Sequence, residues 1–382
     1  MRSSKRKSPV ASSITAQFES LVDPRVVGRV SHPLITVIVM AVAAVVGGAN
    51  GWEAIEDFVE DRKAWFETFL EMPHGVPDAT TFYRVFKAVR PDAFERCARS
   101  WAQGLAEPLD GQVVAFDGKA LRGALKRSRM GASLTMLHVW ACEQRLMLAQ
   151  RAVHGAAGEV EGIRDLLTML DLRGAIVTGD AAHCNRETAQ AIVDAEADYA
   201  LQLKANRAGA HAVVQGFFEA AQADNFAGVK VYHQREINEG HGRTEIREAW
   251  SIAAETLDLP GEDWANLGSV TMLRKSRLVG FKMSTETHYL LSSLLPSCMR
   301  LAETSRAHWG VENGPHWSLD VQMDEDRCTI HEENAATNFH VLRTIALTLA
   351  KRDHSFKRGL RAKLAKAGRN IAYLEHLMSL GI

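Results

Sequence analysis

An α/β fold, with a sheet carrying helices on its faces, is predicted by three features of the chain. Short apolar runs, QVVAFD at 112–117 and GAIVTGD at 174–180, have the length of buried strands, and each stops at an acid. Helical periodicity alternates with them, at Glu159–Leu170 and again at 185–197. Finally, residues from about 226 to 293 alternate apolar and polar with turn signals between, the pattern of a β-rich insertion or an extension of the sheet.

The elements follow in order. Residues 1–20 read as a flexible basic start, and 21–106 as an all-helical N-terminal domain. Its first helix lies in LITVIVMAVAAVVGGA, residues 34–49. That run is about 16 residues, short of the roughly 20 that span a bilayer, so it reads as a buried core helix. WEAIEDFVEDRKAWFETFLEM repeats its apolar residues every three to four positions, and Pro73, Pro77 and Pro91 mark the loops. The α/β region spans 107–350. There, LTMLHVWACEQRLMLAQRAV forms two antiparallel strands joined at Glu143-Gln144-Arg145, Asn185 caps a helix, and YALQLKAN is another strand. VYHQREINEGHGRTEIREAWSI is a hairpin with Glu239-Gly240 as its turn signal, and SVTMLRKSRLV and THYLLSSL add strands. Beyond Pro296 the chain returns to helix, and 351–382 is a basic helical tail.

Composition narrows the function classes. With 46% hydrophobic and 24% charged residues, wholesale disorder is excluded. A net charge of -1 leaves a nucleic-acid partner open, since binding needs a basic patch rather than a basic average. Five scattered cysteines with no CxxC pair argue against a disulfide framework or a cysteine zinc site, and fit a reducing cytoplasm. No signal peptide or membrane span is predicted.

Asp117 and Asp180 carry the first chemical signal. In open α/β sheets, sites lie at the carboxyl ends of strands, so two acids there can share a crevice. Magnesium prefers oxygen ligands, and two such ions about 3.5–4 Å apart serve phosphoryl transfer. Each Asp taken alone reads first as a cap on the next turn, and it is the two at equivalent places in successive strands that weaken that reading. The stretch from Arg306 to Asp326 is more specific, with His308, Trp309, Glu312, Asn313, His316, Trp317, Asp320, Asp324, Glu325 and Asp326 in one run. In a regular helix His308 and Glu312 share a face, while Trp309 and Trp317 read either as core anchors or as surfaces that stack on an unpaired base. Lys119 and Arg122 read as phosphate contacts or as a solvated loop, and His183 as an orienting or a capping residue. Arg306, Lys204, Arg207, Arg243 and Arg247 are candidates for a phosphate track, and Lys351 to Arg369 for non-specific DNA affinity.

These stretches, with DPRVVGRVSHPL, GANGWEAIEDF, GVPDATTFYRVF, AFDGKALRGA, VTGDAAHCNRETA, GHGRTEIREAW and RAHWGVENGPHWSLDVQMDEDRC, lie over roughly residues 24–350. In that order they resemble the H-repeat-associated, ISAs-type insertion-sequence transposases of the DDE superfamily. The resemblance implies an RNase H-like catalytic core with Asp117, Asp180 and Glu312 as its catalytic and metal-binding triad. It implies Mg2+ as cofactor, with Mn2+ substituting, and double-stranded DNA with terminal inverted repeats plus target DNA as partners. A homodimer assembled on DNA is expected, with Lys119, Arg122, His183, Arg306, His308, Trp309 and Asn313 supporting the triad or the DNA. The alternatives are a decayed or domesticated remnant that only binds DNA, and a nuclease that cleaves without joining.

Three positions depart from the family pattern. The second Asp is followed by Ala-Ala-His183-Cys184-Asn185 where the family reads like GDALHTQ. Met323 replaces an aromatic before the final acidic pair. Gly314-Pro315 follows Glu312, and Gly-Pro inside a helix predicts a kink or an end just past that acid.

Overall fold

Helix α1, Leu34–Val46, is apolar on all sides, and all but one of its residues are buried, as a helix without a polar face must be. At 13 residues it is about 20 Å long by its 1.5 Å rise per residue. No helix among the described residues is long and apolar enough to cross a membrane. The chain is seen here in a computed structural model that describes residues 15–26, 28, 30–122, 134–240, 242–259 and 263–381. The basic start at 1–14 lies outside the described residues. Two compact units emerge: residues 1–107, 118–159 and 312–382 form one, and 108–117 with 160–311 form the other.

In the first unit, α1 packs with α2 (Trp52–Asp61), α4 (Ala79–Ala88) and the long α10 (Glu333–Arg352), and α10 packs in turn on α5 (Pro91–Leu105). The short α3 (Lys63–Phe66) follows α2, and the C-terminal helices α11 (Leu360–Ala367) and α12 (Ile371–Ser379) join the same unit. The hairpin of β2 (Leu134–Ala141) and β3 (Leu146–His154) turns through 142–145, where Arg145 takes a left-handed φ of 54°. β3 packs on α5 and α10.

An aromatic knot locks these helices. Trp52 stacks on Phe86 at 5.3 Å and meets Phe339 edge-on at 4.9 Å. Asn338 donates to the carbonyls of Phe86 and Val89, satisfying the open C-terminal end of α4. Phe339 is fully buried, so Phe339→Ala is expected to destabilise the chain by about 3–5 kcal/mol, read from a urea melt.

The second unit is built on a sheet. The first residues of β1 (Val113–Ala120) pair in parallel with β4 (Ile176–Gly179), which pairs in parallel with β5 (Asp198–Leu203). β9 (Lys282–Ser292) runs antiparallel beside β5, followed outward by β8 (Ser269–Val279), β7 (Arg243–Ala253) and β6 (Tyr232–Gly240). The β-rich stretch therefore extends the same sheet. β6 is exposed almost throughout and bristles with charge, which suits an edge strand that must not recruit a partner. α6 (Gly155–Thr168) crosses between units along the chain, while α7 (Arg186–Asp194) packs on β5 and α8 (Ala208–Ala223) on β9. Asn185 caps α7, its side chain accepting from the Thr188 N–H at 2.8 Å. α9 (Cys298–Val311) lies over β4 to β8, with Leu301 packed on Ile176, Ala200 and Leu290.

The kink expected at Gly314-Pro315 takes a specific form. The α-helix ends at Val311, and Glu312–His316 and Ser318–Gln322 continue as π-helical turns with Pro315 inside the first. A proline ring collides with the carbonyl four residues back, which here is Val311. A turn closing at i→i+5 relieves that collision and carries the chain onward.

Candidate active site

Asp117 and Asp180 occupy matching places on neighbouring strands. The parallel register pairs Phe116 with Gly179, and the two acids are the next residues of each strand. β1 itself continues to Ala120, so Asp117 sits within its strand while Asp180 directly follows the end of β4. Gly179 is needed there, because a Cβ would fall 2.2 Å from the Phe116 ring. Half-exposed Asp180 caps a single 3₁₀ turn, Ala181–His183, by accepting from the Ala182 N–H at 3.1 Å. The loop after β5 braces this turn. Asn206 donates to the Ala181 carbonyl at 2.6 Å and Arg207 to that of Cys184 at 3.0 Å.

Two histidines border Asp180. His183 is buried edge-on against Phe116, its Nε2 3.8 Å from the carboxylate. His308 comes from α9 and is also buried, and burial pushes its pKa down to about 4. Lys204 and His183 push it the same way while Asp180 opposes, so the imidazole is neutral at pH 7. Its Nδ1 has no hydrogen-bond partner among the described residues. Nearby, Arg306 pairs with Glu236 at 2.9 Å, and the half-exposed Trp309 meets His288 edge-on at 5.8 Å.

The first unit holds a second polar cluster. Lys119 is buried, its ammonium 2.5 Å from Asp320 and 2.9 Å from Glu325. Burial opposes that charge, but the two carboxylates outweigh it and raise the pKa above the usual lysine value. Glu325 also meets His340 at 2.7 Å and Arg343 at 3.4 Å, and Arg343 reaches Asn50 at 2.5 Å. Burial alone would neutralise Glu325, yet His340, Lys119 and Arg343 hold it well below the ordinary glutamate range. His340 continues to His138 at 2.8 Å, and His138 to His316 at 2.9 Å. His138 is enclosed completely, and burial, reinforced by its two histidine neighbours, keeps it neutral.

Residues 108–349 match the Transposase DDE domain family, and 15–102 match a family described as DDE_Tnp_1-associated. The chain belongs to the DDE transposase family. It is 30% identical to "Putative transposase YncI" of Escherichia coli O157:H7 over 94% of this chain and 92% of that protein. It is likewise 30% identical to "H repeat-associated putative transposase YhhI" of Escherichia coli strain K12, over 94% of this chain and 95% of the relative.

Among the residues singled out in this transposase-family chain, the structure groups Asp180, His183 and His308 at the end of β4, with Asp117 on the neighbouring strand β1. Glu312 opens the first π-helical turn, and its side chain lies outside the described residues. Among the described residues, no group of three or more His, Cys, Asp or Glu is placed to hold a metal ion. Lys119 is enclosed by Asp320 and Glu325, and exposed Arg122 pairs with Asp326 at 3.0 Å. Arg243 and Arg247 both meet Glu245, while Asn313 is exposed. Part of the basic tail is consumed by packing, with Lys363 buried against Asp353 and Lys366 over the Phe356 and Tyr373 rings. Sequence reasoning passed over His138, His340, Arg343 and Asn50. Their only signal was that three of them are polar residues inside otherwise apolar elements.

Proposed function

We propose that this chain is a transposase that cleaves DNA at the ends of an insertion sequence and joins them to target DNA. One observation carries the reading: within a chain of the DDE family, Asp117 and Asp180 directly follow Phe116 and Gly179, which are paired across two parallel strands. Two carboxylates so placed suit a hard divalent cation, which takes oxygen ligands. Asp117, Asp180 and Glu312 are the residues we assign to Mg2+ or Mn2+, within an RNase H-like core. When bound, the metal supplies Lewis-acid stabilisation for phosphoryl transfer.

The chain's own groups do the rest. The 3₁₀ turn and its Asn206 and Arg207 braces hold the Asp180 carboxylate in place. His308, neutral and buried, adds no cation to compete with the metal there. Water attacks a phosphodiester at the element end and frees a 3′-hydroxyl, which then attacks target DNA and releases its strand. We assign residues 107–350 to catalysis and 21–106 to end recognition or subunit assembly. A homodimer on terminal inverted repeats completes the assembly.

The test is strand cleavage and joining on DNA carrying the sequences that flank this gene, with Mg2+ or Mn2+, beside Asp180→Ala and Glu312→Ala. Joined products from wild type alone support the reading. Cleavage without joining identifies a nuclease, and binding without cleavage a DNA-binding remnant.

A further inference from the structure

Resting on the transposase reading, we propose that the buried chain His316–His138–His340–Glu325, with the Lys119–Asp320 pair, positions the π-helical run that carries Glu312. These are positioning residues, acting through the backbone they hold.

That run needs external support. Pro315 removes one backbone donor, and Gly314 is the residue with the widest backbone freedom. Neither π turn has the regular i→i+4 ladder that lets an α-helix set its own register. Residues four apart still fall close to one stripe in such a run, so Glu312, His316 and Asp320 are successive positions on it. The second and third are tied down. His316 bonds His138 on β2 at 2.9 Å, and Asp320 meets Lys119 on β1 at 2.5 Å. Both ties then converge on Glu325: Lys119 directly at 2.9 Å, and His138 through His340 on α10.

The three rings form a complete hydrogen-bonded series. In one arrangement of tautomers His316 donates to His138, His138 to His340, and His340 to Glu325, so every link has a donor and an acceptor. That satisfaction explains why three imidazoles tolerate burial. A purely apolar filling would support the fold equally well, whereas this series specifies one register for the stripe.

The experiment uses the full-length protein and DNA with the gene's flanking sequences. Three variants are compared: His316→Leu, His316→Gln, whose amide can donate or accept at the same reach, and Asp320→Asn at a partly exposed position. Cleavage kinetics and hydrogen exchange of the 312–322 backbone are both read. His316→Leu is expected to lower kcat about 10–100-fold, the range for groups that orient a metal ligand. Its KM for DNA should stay within about 3-fold, since DNA binding itself is untouched. Exchange should rise in 312–322 alone, and His316→Gln should restore both rate and protection. Asp320→Asn should reproduce the local rise in exchange even if His316→Leu does not fold. Wild-type rate in His316→Leu, or unchanged 312–322 exchange in both disrupting variants, overturns the assignment. So does loss of rate that His316→Gln fails to recover. If wild type does not cleave but exchange rises locally as described, the transposase reading fails while the pinning of this run stands.

Discussion

Asp180→Asn is expected to lower metal-dependent DNA cleavage by more than about 100-fold, beyond the cost of disturbing an outer group around a metal. Asparagine keeps the shape of the side chain and an oxygen that can accept from the Ala182 N–H, so the 3₁₀ turn should persist. What it removes is the negative charge that a divalent cation requires. Asp117→Asn, one strand over at the same level, should behave alike. On the proposal that the two carboxylates serve one cation, the double variant should lose little more than either single one. Thermal melts should overlay wild type, separating lost chemistry from lost fold. A double variant much slower than the singles would mean that the two acids work independently.

The largest stability effect is expected at Glu325. Glu325→Gln keeps the volume and can still accept from His340, but leaves Lys119 and Arg343 buried with less compensation. Breaking a buried charge network by removing one partner costs about 3–5 kcal/mol, which urea denaturation would read directly. The pH dependence has a defined sign. The folded pKa of Glu325 lies well below 4.5 and that of His138 well below 6.5, so below those values the unfolded chain binds more protons. Their contributions are present above the unfolded values and are lost as pH falls, His138 first below about 6.5 and Glu325 below about 4.5. Stability should therefore decline from pH 6.5 downward. In Glu325→Gln the steeper fall below pH 4.5 should be reduced. A flat wild-type profile between pH 7 and 5 would contradict the buried neutral His138.

Local pattern was enough for much of the fold. The 34–46 helix announces itself by being apolar on every side, and β4 by an apolar run too short for a helix. The turn at 142–145 and the Asn185 cap each follow from residues within a few positions of one another. Asp117 and Asp180 stand out for the same reason, as acids directly after apolar runs. The α-helix ending at Val311 is also local in origin, since it depends on a proline four residues away. The form of the continuation was not readable, because a π turn has no composition of its own.

From sequence by itself come the α/β class, the order of elements, the hairpins and the two strand-borne acids, since each rests on periodicity or on neighbours within a turn or two. Only the tertiary structure placed Asp117 beside Asp180 and joined β9 to β5, so that the β-rich stretch became part of one sheet. It alone enclosed Lys119, a residue whose surroundings in sequence suggest an open loop, between Asp320 and Glu325. His138 meets partners 178 and 202 residues away. Hydrogen bonds and ion pairs at that separation leave no periodic trace, because what selects them is burial, and burial is a property of the packed chain.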